Sequence, residues 1–290
     1  MGETTLRLVA GRQAIVDVKQ VWAVFFSTTG TTRTIVTRVA EGIAGELGVA
    51  CETYDFTLPA TRDKVPSFPS DDLVVFGTPT YAARVPNVLL KYLGAIRGNG
   101  AVAVPVVLFG NRNYDDSLIE LRDILEKDGF HTIAAGAFVG EHSFSYTLGA
   151  GRPDEGDMAV ADDFAKKVAA KLKTVTDVQT LRPIPVKGIP YPYRDYYRPR
   201  DPQGNPVDMR RIRPLTSDAC NDCKICARVC PTGSISHDNV REYIGICIRC
   251  GACVKKCPQQ AKYYDDAAYL YHKRELEEGF SRRAEPELFV

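Results

Sequence analysis

Eight of the nine cysteines in this chain of 290 residues lie between Cys220 and Cys257, and their spacing is that of a ligand set. Cys220, Cys223, Cys226 and Cys230 follow C-x2-C-x2-C-x3-C with Pro231 next; Cys247, Cys250, Cys253 and Cys257 repeat it with Pro258 next. Each member of the second set lies 27 residues after its counterpart, so the segment is an internal duplication. Three thiolates two residues apart reach three irons of a cube-shaped cluster from one tight loop. The fourth cysteine is carried off by the turn at the proline and ligates the other cluster. The spacing predicts two [4Fe–4S] clusters: cluster I on Cys220, Cys223, Cys226 and Cys257, and cluster II on Cys247, Cys250, Cys253 and Cys230. Disulfides belong to oxidising compartments, which nothing in the sequence indicates. Zinc takes four ligands, usually as two separated pairs, which a doubled run does not suit.

Residues 218–260 resemble the bacterial-type two-cluster ferredoxins. They depart from the acidity of that group, because residues 219–258 hold six Lys/Arg against three Asp/Glu. The chain is too long for such a module alone, so one or two further domains are expected. The N-terminus lacks a basic flank followed by an apolar core, so no signal peptide is expected. The longest apolar run, residues 101–109, is far shorter than the roughly 20 residues of a membrane span. These features imply a soluble cytoplasmic protein in a reducing, anoxic setting, with no membrane partner.

The second stretch with chemistry is SerThrThrGlyThrThr, residues 27–32. It follows an apolar, β-branched run at 21–26 that reads as a buried parallel strand. It precedes residues 33–47, where Ile35, Val36, Val39, Ile43 and Leu47 have helical spacing. A strand, a hydroxyl-rich loop and a helix start make an anion site, because first-turn N–H groups are unpaired and the helix dipole favours negative charge. A plain N-cap would use the same residue types. Further strands are expected at 51–56, 73–76, 101–109 and 131–140. Helices are expected at 86–96, 115–128 (with Asp116 as cap) and 156–172. Alternating strands and helices imply an α/β fold: a doubly wound, five-stranded parallel sheet of order 2-1-3-4-5. Such sheets bind ligands at the carboxyl ends of the strands, where loops 27–32, 77–84 and 110–115 all fall.

Over residues 21–172 the chain resembles the flavodoxins, and with the cysteine repeats it resembles the flavodoxin–ferredoxin fusion family. The resemblance implies FMN, with Ser27, Thr28, Thr29, Gly30, Thr31 and Thr32 on the phosphate. The loops with Thr78, Pro79, Thr80, Tyr81 and Ala82, and with Gly110, Asn111, Arg112, Asn113, Tyr114 and Asp115, would frame the isoalloxazine ring. Tyr81 or Tyr114 is expected either to stack on the ring or to serve only as wall. Arg112 and Arg84 depart from simple flavodoxins and are candidates to tune the flavin or to lie at the surface. No long insertion interrupts the fifth strand, so the domain is of the short type. No G-x-G-x-x-G follows a strand, so no nicotinamide site is expected.

The remaining segments connect these parts. Residues 1–20 read as a mobile tail or two short strands, and 173–217 as a Pro/Tyr/Arg-rich linker. The ferredoxin domain takes 218–262 and a helical extension 263–290. The linker's tyrosines are expected to pin it across both domains; a nucleic-acid role is set aside because no nucleic-acid fold accompanies it. His131, His142, His237 and His272 are expected to be structural, and Cys51 an inert buried thiol. Residues 21–172 carry 14 basic and 19 acidic side chains, and residues 181–258 carry 14 and 7. Opposite signs favour docking of the halves within one chain or head to tail in a homodimer; an acidic external donor is the alternative. The parts imply a redox protein that moves electrons between two clusters and FMN, as a relay between donor and acceptor proteins. The alternative is an FMN-dependent reductase of a small unsaturated or quinone-like acceptor fed by the clusters. A relay should leave the flavin edge open to a protein, whereas an enzyme should cover it.

Overall fold

The computed structural model describes residues 16–290. The sheet begins at β1 (Gln20–Phe25), whose residues alternate between two faces. Val21, Ala23 and Phe25 pack beneath α1 (Thr31–Leu47) and α4 (Glu155–Leu172); Val24 and Phe26 pack beneath α2 (Leu90–Leu93) and α3 (Ser117–Lys127). The other strands of this half are β2 (Ala50–Asp55), β3 (Asp72–Pro79), β4 (Val102–Phe109), β5 (His131–Thr132) and β6 (Ala135–Val139). The order is β2-β1-β3-β4-β6 and all of these pairings are parallel, which is the doubly wound arrangement expected. It places the loops after β1, β3 and β4 side by side at the carboxyl edge.

Two elements differ from the expectation. The fifth strand is split into β5 and β6, and Pro105 supplies the reason. Ala103 pairs with Thr132 and Val106 with Gly136, so the neighbouring strand fits one extra residue opposite Val104–Pro105. A proline has no N–H for the ladder, and the bulge accommodates the gap. The sheet also gains a sixth position: β9 (Glu287–Phe289) pairs antiparallel with β6, covering the edge with the end of the chain. Residues 16–19 form no strand but are tied by backbone bonds from Val16 N to Val175 O and Lys19 N to Asp71 O; the rest of the expected N-terminal strands lies outside the described residues.

The ferredoxin-type half is small. It has a two-stranded sheet, β7 (Leu215–Thr216) and β8 (Lys262–Tyr263), with two single-turn helices, α5 (Ile225–Arg228) and α6 (Ala252–Lys255). Then α7 (Ala267–Gly279), capped by the Asp266 carboxylate on Ala268 N and Tyr269 N, returns the chain to the larger half. Its buried face carries Tyr269, His272 and Leu276.

The linker lies along the flavodoxin-like half. Arg84 forms a bidentate pair with buried Glu120 and stacks against Tyr193 and Tyr196, at 4.7 and 4.9 Å from the ring centroids. Tyr196 donates to Val85 O and Tyr193 to Asp123, while Tyr191 is exposed. Arg84 is therefore a linker anchor, its charge paired with Glu120. Asp116 sits at the start of α3 but makes no side-chain cap. Its carboxylate accepts from Ile189 N, Arg194 N and Arg194 Nε, a second anchor. Replacing Arg84 by alanine leaves Glu120 buried without its partner, and we expect a loss of roughly 3–5 kcal/mol. Urea unfolding of R84A against E120Q and the double variant measures it; full additivity of the two single changes would contradict the pairing.

Candidate functional site

The cysteine segment repeats in conformation as well as in sequence. Asp222 and Lys224 have φ of 59° and 61°, and their counterparts Arg249 and Gly251 have 55° and 75°. Left-handed residues before each single-turn helix fold the loop tightly enough to aim three side chains inward. Ser234 N donates to Cys230 Sγ at 3.2 Å, and Ala261 N donates to Cys257 Sγ at the same distance. Two cavities result. One is lined by Cys230, Cys247, Cys250 and Cys253, and the other by Cys220, Cys223, Cys226 and Cys257, the crossed sets that the spacing predicts. Among the described residues no three His, Cys, Asp or Glu groups converge on a single ion position. Thiols ringing a space fit a multi-iron cluster better than a lone zinc. Burial pushes the Cys226 and Cys247 thiols up and Cys250 up to about 12. Bound metal would hold them as thiolates.

The cluster II side faces the other half of the same chain. The Thr28 hydroxyl lies 3.5 Å from Cys250 O, and Arg62 donates to Pro231 O, next to the crossed ligand Cys230. Lys255 pairs with Glu141 at 2.5 Å, donates to Ser145 O and lies 3.8 Å from the Tyr146 ring centroid. Gly251 meets Ser143 so closely that an added Cβ would stand 2.5 Å from Ser143 O. Its counterpart in the first repeat, Lys224, faces outward to Asp222 and Asp238 O.

The three loops of the flavodoxin-like half meet at this seam. Gly30 caps α1 with φ 108° and no side-chain cap, leaving the N–H groups of Thr31 and Thr32 to a ligand. Ser27 braces the loop, taking Arg33 N on its hydroxyl and giving its own N–H to Thr57. The Thr28 hydroxyl is engaged by Tyr81 OH at 3.0 Å, and Thr32 is buried. The hydroxyls left for a phosphate are those of Thr29 and Thr31, together with the N–H groups. Thr78 Oγ1 is buried without a partner at the end of β3, as a residue awaiting a ligand would be. Ala82 and Ala83 both have positive φ, forming a tight turn closed by Tyr81 and Arg84. Tyr81 stays protonated, its pKa raised by burial with a contribution from Cys250.

The third loop differs from the expectation. Tyr114 is turned into the core against Phe109, and its hydroxyl donates to Glu287 of β9. It is not a stacking residue. Asn111 is buried, its amide donating to Phe280 O and Arg282 O, both at 2.7 Å, while its oxygen accepts from Ala284 N. Arg112 pairs with Asp115 and lies against Tyr197 and Phe280, 5.5 and 6.0 Å from their centroids. Thr80 bonds Ser117, and the Asn113 side chain accepts from Asp115 N. Tyr197 N donates to Ala82 O. The linker and the C-terminal arm therefore pack against the ring loops, whose tips at Ala82 and Asn113 stay exposed.

Residues 218–267 match the model of the 4Fe-4S dicluster domain. The chain joins a flavodoxin-like domain to a 4Fe–4S dicluster domain. Among solved structures it is similar to a flavodoxin from Streptococcus pneumoniae TIGR4, at 22% identity, 52% of this chain and 99% of that one, with a TM-score of 0.37. It is similar to flavodoxin 2 from Bacillus cereus at 16% identity, 53% of this chain and 99% of that one, with a TM-score of 0.36. A flavone reductase aligns at 11% identity over 56% of this chain and 65% of that one, with a TM-score of 0.40. No curated protein matches the sequence. Among the described residues no helix is long and apolar enough to cross a membrane.

Two residues near the dicluster seam carried no signal in the sequence. His142 follows β6, and its ring lies where a Cβ on Gly110 would be, at 2.3 Å. Burial lowers its pKa to about 4; His272, Lys255 and Arg112 add repulsion and Glu277 opposes them. Its Nδ1 accepts from Phe144 N, which requires the neutral ring. Lys255, at the end of α6, clamps the seam through Glu141 and Ser145 O. Cys51 is half-buried, and burial with Glu41 and Glu52 pushes its thiol up to about 11, which keeps it inert.

Two outcomes follow. Cys257→Ser should destroy the cluster held by Cys220, Cys223 and Cys226 and spare the other, read by electron paramagnetic resonance of the reduced protein; loss of only the other cluster would reverse the pairing. The stability that neutral His142 contributes should be full above about pH 6.5 and lost as pH falls through about 4. His142→Phe should flatten the acid limb of the stability curve in that window, and an unchanged limb would contradict it.

Proposed function

We propose that this protein is an iron–sulfur flavoprotein that accepts electrons at the dicluster domain and delivers them to FMN within one chain. The observation that carries this is the contact of Cys250 O with Thr28, which also bonds Tyr81: a cluster II ligand touches the phosphate loop and, through it, the first ring loop. FMN, when bound, exchanges electrons one or two at a time and so matches one-electron clusters to a two-electron acceptor. The N–H groups of the α1 start and the hydroxyls of Thr29 and Thr31 would hold its phosphate. One phosphate is expected, because the loop lacks a dinucleotide fingerprint. Tyr81, kept protonated, orients Thr28, and the seam excludes water from the path between cluster II and the ring loops. Cluster I, farther from the seam contacts, is the entry for an external donor protein. Docking inside the chain makes a head-to-tail dimer unnecessary for cluster-to-flavin transfer.

The packing of the linker and the C-terminal arm on the ring loops favours a small acceptor over a protein acceptor at the flavin. Tyr197, Phe280 and the backbone at 280–284 contact Asn111 and Arg112 of the third loop. The substrate class is an unsaturated or quinone-like small molecule, reduced by the bound cofactor.

Anaerobically purified protein should release FMN on acid treatment and contain about eight irons per chain, as two cube-shaped clusters require. Reduced protein should be reoxidised by small quinones faster than by oxidised flavodoxin or ferredoxin. FAD, or no flavin, would remove the basis of the proposal; faster reoxidation by the proteins would favour the relay.

A further inference from the structure

Lys262 is 3% exposed, and no carboxylate pairs with it among the described residues. Its ammonium donates to Val240 O at 2.6 Å and lies 5.4 Å from the centroid of the Tyr243 ring. Burying a charge without a counter-ion is costly unless something else compensates it. Neither a carbonyl oxygen nor a ring face does so fully. The position supplies the missing partner: Lys262 and Val240 line the cavity of cluster I, and Tyr243 lines that of cluster II. The ammonium sits at the boundary of the two cavities, on the cluster I side. The other basic groups near cluster I are committed or solvated: Lys224 to Asp222, Arg241 to Asp218, with Arg228 and Lys256 exposed. At cluster II, Arg249 donates to Cys247 O, and Arg213 lies 5.4 Å from the centroid of the Tyr243 ring.

We propose that Lys262 is the internal counter-ion of cluster I and sets its reduction potential above the value that the cysteine cage alone would give. The inference rests on the two-cluster reading. A cluster gains one negative charge on reduction. A fixed cation in a low-dielectric site favours that state, and favours it more for the nearer cluster. Lys262 is then a positioning residue for charge, not a ligand. It stabilises the entry cluster as an electron acceptor, which suits a protein whose donor docks on that side. Its hydrophobic stem also closes β8 over the cavity, a role that any long side chain would fill.

The test compares the intact protein with K262M and K262R by redox titration monitored by electron paramagnetic resonance. Iron content near eight per chain and two reduction waves in the unaltered protein establish the two-cluster reading on their own, and the wave missing in Cys257→Ser identifies cluster I. K262M is expected to make reduction of cluster I at least tenfold less favourable, about 59 mV more negative for one electron, with a smaller shift of cluster II. K262R, which keeps the charge, should remain close to the original. Equal shifts in K262M and K262R, or none in K262M, would overturn the proposal and leave Lys262 a packing residue. If K262M assembles no cluster I, the proposal stands only where K262R assembles it; failure of both overturns it. A second readout needs no electron transfer. In chain stripped of iron, K262M should be more resistant to urea than the unaltered chain, since the uncompensated cation is gone. The order should reverse when the clusters are present. The same order in both states would contradict the counter-ion role.

Discussion

Everything in this molecule depends on how closely the second cysteine loop approaches the backbone at Ser143. There is no room for a side chain at Gly251, and the left-handed conformation there is one that glycine adopts without strain. The first repeat has the same backbone bend with Lys224 in that place, because that loop faces outward. A duplicated sequence has thus been made asymmetric at one position: one loop is built for contact and the other for solvent. Lys255–Glu141 and Arg62–Pro231 hold the contact from its two sides. Screening limits any charge between the halves to about 10 Å at 0.1 M salt. Steric fit at Gly251 therefore decides the geometry, and charge assists it.

From that contact the rest of the architecture follows. Once cluster II is seated on the phosphate-loop side, the chain must return, and α7 brings it back across the loop after β6. Residues 280–284 then fasten to Asn111, and β9 completes the sheet. The linker does the same on the other flank through Arg84–Glu120 and Arg194–Asp116. Two segments that read as a connection and a tail are walls of the flavin-loop region.

What was legible in the sequence was what local geometry dictates. The cysteine spacing carries its ligand pairing because the reach of a thiolate from a tight loop is fixed by a few residues. The sheet order was legible because apolar runs alternate with helical spacing, and the loop at 27–32 because a glycine and hydroxyls open a helix. What failed depended on partners far along the chain. Tyr114 looked like a ring residue until Glu287 claimed its hydroxyl, and Arg84 until Glu120 and two linker tyrosines claimed its guanidinium. Ser27 and Thr28 were placed on a phosphate, and their hydroxyls also meet Arg33 N and Tyr81, partners that the loop's own sequence does not name. Pro105 was visible, but its effect falls on the neighbouring strand, and β9 is too short for any periodicity. Lys262 had no signal at all, since burial of a lysine after a cysteine motif is a tertiary fact.

The central claim is that cluster II and the flavin exchange electrons inside a single chain through the Gly251 seam. The most direct measurement is flash reduction of the clusters in the anaerobic protein, with the rate of flavin reduction followed across a range of protein concentration. The account predicts a first-order rate independent of concentration, and a large drop when Gly251 is replaced by asparagine, which tolerates the left-handed backbone but adds the Cβ that meets Ser143 O. A rate that rises in proportion to protein concentration, or one that Gly251→Asn leaves untouched with both clusters and flavin in place, would contradict it.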